Sequence, residues 1–462
     1  MSAARGRAVA VIGAGLTGPL LALLLARRGF AVTLLERRAD PRTAPAEGGR
    51  SINLALSARG IGPLERAGVM PQIAPLLLPM RGRMVHELSG RPALQSYGKR
   101  PEEVIYAVGR AALNRLLVSA AERAGATLCF GQRCTGLDPG SHRARCVDER
   151  SGRQFELDDE TVIAADGAGS PMRASLVQAG VCEERIEPLG HDYKEMTLPA
   201  DRPGAHALDP GALHIWPRGG FMLIALPNPD GTFTVTLFLR RSGERSFASL
   251  ADDAALRRFF AEQFPDLAVH HEALLAGFRR NPQGQLATVH ARGWHLGGRA
   301  LLLGDAAHAI VPFHGQGMNA GFEDCAALDA LLERGSDWAA LFAQFERLRR
   351  PNTEAIAQMA LENFLEMRDR VRDPAFQHRC RLAFELERRF PNRFIPRYSM
   401  VMFHPEISYL EALRRGAMQA EILEQLDRAP APGGGIDCSL AEALVCERLP
   451  ELAGRDPDLR TG

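Results

Sequence analysis

Residues 304–321 hold one acid, Asp305, and two histidines, His308 and His314, among glycines and other small residues. The segment follows the apolar run 300–303, which is typical of a buried strand. Glycine allows a backbone to approach a ligand closely, because it carries no side chain. The segment therefore predicts a site in which the backbone itself contacts a ligand, and it leaves the roles of the acid and the histidines open.

A second glycine-rich segment, Gly13-Ala-Gly-Leu-Thr-Gly18, fits the dinucleotide-binding fingerprint. The apolar strand 9–12 precedes it, a helix over 20–28 follows, and Glu36 ends the next strand, 31–35. In such a unit the glycines let backbone amides reach a pyrophosphate at a helix N-terminus, and the acid accepts from ribose hydroxyls. The alternative is that the glycines serve only the tight packing of strand against helix.

Two further segments indicate FAD rather than NAD. Residues 164–173, Ala-Ala-Asp-Gly-Ala-Gly-Ser-Pro-Met-Arg, and residues 303–308, Leu-Gly-Asp-Ala-Ala-His, resemble the second and third signatures of the single-component flavin hydroxylases, the para-hydroxybenzoate-hydroxylase-like group. The resemblance implies that Asp305 binds the ribitol chain of FAD and that the following helix points its N-terminus at the isoalloxazine ring. A helix N-terminus stabilises the anionic reduced flavin by about 0.3 to 1 kcal/mol.

Several blocks resemble one family of that group, the kynurenine 3-monooxygenases. These blocks are residues 49–57, 81–86, 214–218, 311–325 and 396–401. The resemblance covers most of the chain, to about residue 415. It implies that FAD and NADPH serve to hydroxylate L-kynurenine with O₂ at ring position 3, through a flavin C4a-hydroperoxide, in tryptophan degradation.

The resemblance assigns the substrate carboxylate to Arg83 and Tyr97, with Tyr398 and Asn363 added from the C-terminal helices. An arginine fork and a phenol suit a carboxylate, since each charge-assisted bond contributes roughly 1.5 to 3 kcal/mol. From the residues alone, Arg83 could equally pair on the surface and Tyr97 lie half-buried in a turn. Asn363 and Glu366 are three apart and share a helix face, which lines a cavity or forms a solvated stripe.

The resemblance also implies a pocket for the aromatic ring, although an ordinary sheet core would show the same alternation of side chains. Its expected residues are Leu213, Ile224, Leu226, Thr236, Phe238, Pro312 and Phe313. His314 is the catalytic candidate, because it is the one titratable group that the loop would place near the flavin edge. It either tunes the oxygen chemistry or only packs on the ring.

The expected FAD contacts extend beyond the fingerprint. They are Gly13, Gly15, Thr17, Gly18, Glu36, Arg37, Arg38, Ala55, Arg110, Cys134, Asp166, Asp305, Gly317, Met318 and Asn319. No second glycine fingerprint follows downstream, so NADPH has no Rossmann domain of its own and the sequence does not locate its site. Two alternatives stay open: a related flavin hydroxylase or reductase for another aromatic acid, and a non-catalytic flavin-binding module, which the complete carboxylate site argues against.

The elements that must position these residues predict an α/β fold with a Rossmann-like FAD-binding domain, an inserted, mainly antiparallel β-sheet substrate domain and a C-terminal helical region. Strand-like runs at 212–216, 221–226 and 232–239 define the insertion. The expected boundaries are 1–186 and 289–336 for the discontinuous FAD domain, with 76–100 contributing to the substrate site, then 187–288 for the sheet, 337–430 for the helices and 431–462 for a polar tail.

The charge balance argues against nucleic acid or an anionic membrane as a partner. The chain has 56 basic and 55 acidic residues, and so no strong overall field. Its 8 cysteines form no C-x-x-C pair and no metal-ligand spacing, which favours a reducing compartment without a structural metal. No run approaches about 18 apolar residues. We expect a cytoplasmic, bacterial-type form without a membrane anchor, with a homodimer as the candidate assembly.

Overall fold

The computed structural model describes residues 6–43, 53–138, 141, 143–158, 161–202, 204–335, 337–370, 373–428 and 436–452. Part of the block 49–57, residues 429–435 at the start of the expected polar tail, and the end of the chain lie outside these residues.

The first large sheet is almost entirely parallel and gathers strands from distant parts of the chain. Its spatial order is His295–Leu296, Ala300–Leu302, Thr161–Ala164, Ala8–Ile12, Ala31–Glu36 and Thr127–Phe130. Only the pair formed by the first two of these strands is antiparallel. The two central strands, Ala8–Ile12 and Thr161–Ala164, are apolar except for Thr161, as expected where helices cover both faces. The predicted discontinuous Rossmann-like domain is confirmed.

The second large sheet belongs mainly to the insertion. Its spatial order is Gln283–Arg292, Glu183–Leu198, Phe233–Arg240, Met222–Pro227, Ala212–Pro217, Gly82–Val85 and Ala93–Ser96. All neighbours are antiparallel except Ala212–Pro217 with Gly82–Val85, which run parallel. The predicted mainly antiparallel sheet is confirmed, and residues 82–96 join it from the N-terminal part of the chain.

Two helices of the insertion were not predicted, Asp253–Gln263 and His271–Arg280. Their apolar faces, which include Phe260 and Leu274, pack on one side of the second sheet together with Trp216. The other side of this sheet carries Leu213, Leu226 and Phe238, residues of the predicted ring pocket. The sequence analysis gave most weight to period-two alternation in this region and missed the helical spacing.

Two smaller antiparallel sheets complete the β structure. One contains Gln132–Leu137, Ala144–Asp148 and Gln154–Glu156, and the other contains Asn53–Leu56, Leu78–Met80 and Ile105–Gly109. The remaining helices of the N-terminal two thirds are Thr17–Arg27, Ala58–Arg66, Met70–Ile73, Arg110–Arg123, Pro171–Gln178, Asp305–His308 and Gly317–Leu332, with 3₁₀ turns at Ala74–Leu76, Ala248–Leu250, Pro265–His270 and Pro312–His314.

The C-terminal region is helical, as predicted. Its helices are Trp338–Leu365, a π-helical turn at Glu366–Arg370, Pro374–Arg389, Arg397–Phe403, Tyr409–Arg428 and Cys438–Arg448. The last helix corrects part of the expected polar tail at 431–462, because Ala441 and Val445 are buried against this helical layer. In the described part of the chain, no helix has both the length and the apolar character that crossing a membrane requires.

Candidate flavin and substrate site

The glycine loop at residues 13–18 fits a ligand that approaches the backbone. Gly13 has a positive φ of 99°, and a Cβ there would lie 2.5 Å from the carbonyl oxygen of Ala165. A Cβ on Gly18 would overlap the carbonyl oxygen of Gly13. By contrast, no atom of the described residues, apart from Gly15 itself and its chain neighbours, lies within 4 Å of the Cβ position of Gly15. The outer glycines therefore serve packing, and Gly15 leaves its backbone open, as a bound pyrophosphate needs.

Glu36 closes this loop from the end of its strand. Its carboxylate is 6% exposed and accepts from the backbone of Ala14 at 2.8 Å and from Arg38 Nε at 2.8 Å. Burial opposes ionisation, but the hydrogen bonds and charge of Arg38 hold the pKa of Glu36 below its usual range. Asn114 donates to Ala14 O at 2.9 Å and holds the loop from the other side. Sequence analysis missed Asn114, because nothing in its helix distinguishes it.

Asp166 and Asp305 offer acceptors to a hydroxyl-rich ligand. Burial raises the pKa of Asp166, and its Oδ1 atom is buried with no hydrogen-bond partner among the described residues. An unsatisfied buried acceptor is costly, so a ligand hydroxyl would fit it. Asp305 is exposed and begins the helix Asp305–His308, directly after Gly304, whose φ is 63°. These donor and acceptor groups fit the FAD that the sequence predicts.

A buried network supports the turn before Asp305. Asp324 accepts from the backbone of Gly304 at 3.0 Å, lies 2.6 Å from His308 Nε2 and accepts from Arg349 Nε at 2.6 Å. Burial opposes its charge, but His308 and Arg349 hold the pKa of Asp324 below its usual value. His308 is thus a structural residue. Asp324 belongs to the block 311–325, but nothing in the sequence predicted its role.

Asn319 connects the glycine-rich segment 304–321 to the strand Asn53–Leu56. Its amide donates to Ala55 O at 2.9 Å and to Gly315 O at 2.7 Å, and its oxygen accepts from the Ser57 backbone at 3.1 Å. The side chain is fully buried and fully used, so only the backbone of Asn319 is free for FAD. Gly317 and Met318 begin the helix Gly317–Leu332, where backbone amides lack helical acceptors.

The other predicted cofactor residues differ in position. Thr17 packs closely against the segment 304–321, since a Cβ on Gly321 would lie 2.7 Å from the Thr17 hydroxyl. Arg37, Arg38 and Arg110 are exposed on the surface of this domain. Cys134 is buried in a small sheet, where its thiol donates to Gly136 O at 3.7 Å. Its side chain therefore faces the core, and its contact with the cofactor stays a prediction.

Arg83 is the centre of the predicted carboxylate site. It is 7% exposed, which excludes the surface pairing that the residues alone allowed. Its guanidinium lies 3.4 Å from Glu366 Oε1 and 3.4 Å from Asn363 Oδ1, and its Nε has no hydrogen-bond partner among the described residues. The guanidinium also lies 4.7 Å from the ring centre of Tyr398 and 5.8 Å from that of Tyr97. The structure thus brings these five residues together.

The charges of this site are set by burial and by the arginine. Burial opposes the charge on Arg83, but Tyr398, Glu366 and Tyr97 hold its pKa above the usual value. Burial raises the pKa of Tyr97 well above 10 and also raises that of Tyr398, so both phenols stay protonated at neutral pH. One cation, two phenol donors and one carboxylate face the same space. Such a set can hold an anionic and a cationic group side by side.

An apolar cluster adjoins Arg83. Phe313 lies 4.9 Å from Phe238 and 4.3 Å from Phe364, measured between ring centres. Thr236 is paired with Ile224 on the neighbouring strand. Of the predicted pocket residues, Leu213, Leu226, Phe238 and Phe313 are buried in this cluster and Ile224 is half-buried against it, whereas Pro312 is exposed. Sequence analysis missed Phe364, one residue after Asn363.

His314 ends the 3₁₀ turn Pro312–His314 and adjoins the predicted carboxylate site. Its ring stacks on Tyr398 at 5.2 Å, with 17° between the planes, and its Nδ1 is buried without a hydrogen-bond partner among the described residues. Burial lowers the pKa of His314 to about 3. The ring is therefore neutral at physiological pH, which disfavours a role as general acid.

The class of protein follows from this combination of fold and site. Residues 7–360 match the family model described as FAD binding domain, and the chain belongs to that family. Solved structures with the same fold include tetrameric 2-methyl-3-hydroxypyridine-5-carboxylic acid oxygenase, with a TM-score of 0.64 and 18% identity over 80% of this chain and 94% of that chain. PqsL of P. aeruginosa, in complex with 2-aminobenzoylacetate, has a TM-score of 0.63 and 21% identity over 81% and 100%.

Curated relatives give a narrower assignment. Kynurenine 3-monooxygenase of Stenotrophomonas maltophilia (strain K279a) is 47% identical over 454 residues, which are 98% of this chain and 100% of the relative. The protein of the same name from Xanthomonas axonopodis pv. citri (strain 306) is 48% identical over the same shares. The chain belongs to the kynurenine 3-monooxygenase family, which confirms the resemblance seen in the sequence.

Proposed function

We propose that the protein is an FAD-dependent monooxygenase that hydroxylates L-kynurenine at ring position 3 with NADPH and O₂. The observation that carries this proposal is the buried guanidinium of Arg83, placed between two phenols and Glu366 beside an apolar cluster. Relatives that are nearly half identical over the whole chain carry the corresponding name.

L-Kynurenine has an α-amino acid group and an aminobenzoyl ring, and the site offers a partner for each part. Arg83 and the two phenols suit the carboxylate, since charge-assisted hydrogen bonds contribute roughly 1.5 to 3 kcal/mol each. The Arg83 contacts with Asn363 and Glu366 are long, at 3.4 Å, and a substrate carboxylate can replace them at shorter distance. The Glu366 carboxylate would then face the α-ammonium group.

The ring would lie among the apolar side chains next to this polar end. Phe238 comes from the second sheet and Phe313 from the turn before the flavin helix, so substrate and flavin would share one wall. The buried cluster keeps water from the reacting face, which limits loss of activated oxygen as hydrogen peroxide.

The residues that would hold FAD are the Gly15 backbone, Glu36, Asp166, Asp305 and the amides at the start of Gly317–Leu332. Bound FAD, once reduced by NADPH, supplies the activation of O₂. The chain itself positions the substrate, shields it from water and offers no charged acid at His314. A cytoplasmic location and a homodimer stay predictions.

The direct test uses purified holoprotein with L-kynurenine, NADPH and ¹⁸O₂. We expect 3-hydroxy-L-kynurenine with one ¹⁸O atom, together with kynurenine-stimulated NADPH oxidation. Stimulation by another aromatic acid but not by kynurenine would assign a related hydroxylase. Full flavin occupancy with no substrate-dependent NADPH oxidation would assign a flavin-binding module.

A further inference from the structure

The sheet that presents Arg83 to the substrate site carries a second polar cluster on its opposite face. Successive residues of a strand face opposite sides. Leu213 and Ile215 therefore join Val85 in the apolar cluster of the site, whereas His214 and Trp216 face the other way. His86 follows the strand Gly82–Val85 directly and also lies on this opposite face. The proposed function gives these histidines no role.

The opposite-face cluster is a continuous hydrogen-bonded chain. Asp266 Oδ2 lies 2.8 Å from His86 Nδ1, and His86 Nε2 lies 2.8 Å from His214 Nδ1. His214 Nε2 lies 2.9 Å from the carbonyl oxygen of Asp209. The Trp216 indole donates to the same Asp266 oxygen at 2.7 Å. His86 and His214 are 5% and 2% exposed, so water competes little for the bond between the two rings, whereas the Asp266 side chain at the outer end is 36% exposed.

The acceptors at the two ends fix the protons of the chain. A carbonyl can only accept, so His214 Nε2 carries hydrogen. Burial lowers the pKa of His214 to about 4, and the ring is therefore neutral with a bare Nδ1. His86 Nε2 must then donate. Burial opposes ionisation of Asp266, but His86 and Trp216 hold its pKa below the usual value, so it accepts from His86 Nδ1. Both nitrogens of His86 carry hydrogen.

One further contact favours a charged His86 ring, and two others hold its backbone. Its ring stacks on Trp216 at 4.2 Å between ring centres, with 20° between the planes, an arrangement that stabilises a cation over an indole. Arg218 Nη1 donates to the backbone oxygen of His86 at 2.9 Å, and its positive charge opposes a charge on the nearby ring. The backbone of His86 also donates to Ile215 O at 2.9 Å. Ring and backbone together fix the end of the strand that carries Arg83.

We propose that His86 is a positioning residue, held as an imidazolium between Asp266 and His214, which fixes the strand Gly82–Val85 and so keeps Arg83 in the substrate site. This inference rests on the proposed function only for its effect on kynurenine binding. Arg83 is three residues from His86 and is paired with Leu213, the neighbour of His214. A loosened strand end would therefore displace the guanidinium rather than the flavin loops.

The charge state is tested by NMR of ¹⁵N-histidine-labelled holoprotein at pH 7. We expect one ring with two protonated nitrogens that disappears in His86→Gln and becomes neutral in Asp266→Asn, which keeps the shape of the acceptor. This measurement does not depend on the substrate. A neutral His86 ring in the unsubstituted protein would overturn the proposal.

The positioning effect is tested by hydrogen exchange and kinetics on Asp266→Asn. Amides 82–86 should exchange faster than in the unsubstituted protein, and KM for kynurenine should rise about fivefold, typical of coupling within one hydrogen-bonded network, with kcat changed by less than about twofold. The control is His271→Gln, since His271 bonds Phe264 O at 2.9 Å in the same layer but takes no part in the hydrogen-bonded chain of His86 and His214. Unchanged exchange at 82–86, or equal KM effects in both variants, would refute positioning. Absence of any turnover would refute the proposed function and leave the exchange test decisive.

Discussion

Replacing Arg83 by Met removes the guanidinium of the substrate site and keeps a side chain of similar reach. The methionine can still pack on Tyr398, whose ring centre lies 4.7 Å from the guanidinium. Glu366 then loses its cationic neighbour, which lies at 3.4 Å. The flavin loops are built from other segments, so the substitution should leave the FAD content unchanged.

The expected magnitude follows from the bonds that kynurenine would lose. Two charge-assisted bonds to the carboxylate contribute roughly 3 to 6 kcal/mol together. Part of this is offset, because free Arg83 gives up its long contact with Glu366 when the carboxylate binds. The entropy lost when the ligand and its neighbouring side chains become ordered reduces the difference further. We expect a net loss of about 2 to 4 kcal/mol, which raises Kd about thirty- to a thousandfold.

Kynurenine binding can be followed by the change in flavin absorbance on titration, without turnover. Glu366→Gln is the matched control, since it removes the partner charge but keeps the guanidinium, and it should weaken binding less than Arg83→Met. Arg83→Lys should recover only part of the affinity, because a point charge cannot form a planar fork. A Kd for Arg83→Met within about threefold of that of the unsubstituted protein would remove Arg83 from the site.

Three further predictions concern the flavin loops. Asp305→Ala should lower FAD retention after gel filtration, because the exposed carboxylate is the acceptor expected for the ribitol chain. Gly15→Ala should weaken FAD binding while the apoprotein melts normally, whereas Gly18→Ala should lower the melting temperature itself, since its Cβ overlaps a carbonyl oxygen. His314→Phe should reduce acid sensitivity: burial sets the folded-state pKa to about 3, against about 6.5 when unfolded, so this group costs about 2 kcal/mol of unfolding free energy between pH 7 and 5.

The contrary outcomes are equally concrete. Full flavin occupancy in Asp305→Ala, or unchanged FAD affinity in Gly15→Ala, would show that the cofactor does not approach these loops as expected. For His314, stability is fully retained above the unfolded pKa and is lost as pH falls below it. Urea unfolding in which His314→Phe loses as much stability from pH 7 to pH 5 as the unsubstituted protein would refute that assignment.

The local part of the fold was predictable because its signals are local. The strand, turn and helix around 8–27 follow one another in sequence, and each carries its own pattern. The pairing of Arg83 with Leu213 was not predictable in this way, because it joins residues far apart through a parallel contact. No alternation or turn residue encodes which distant strand lies next to Gly82–Val85.

The site residues also divide into those with a signal in the sequence and those without one. Motifs and the family resemblance predicted the residues that would contact the ligand. The structure brings three of them, Arg83, Asn363 and Glu366, together. The residues that hold those motifs in place were missed, among them Asn114 and Asp324. Support of this kind depends on side chains that meet only after folding, so a single sequence carries no periodic signal for it.

The two histidines of 304–321 show how the folded environment decides their chemistry. His308 lies 2.6 Å from the fully buried Asp324, which is also bonded to Arg349, so this histidine belongs to a charged network that holds the Gly304 turn. The His314 ring stacks on Tyr398, its Nδ1 has no hydrogen-bond partner among the described residues, and burial keeps the ring neutral. The loop would thus offer FAD backbone amides and one exposed carboxylate, with His314 as a neutral ring and not an imidazolium near neutral pH. We therefore expect oxygen transfer to depend on positioning and exclusion of water, and the pH dependence of kcat to stay the same when His314 is replaced by Phe.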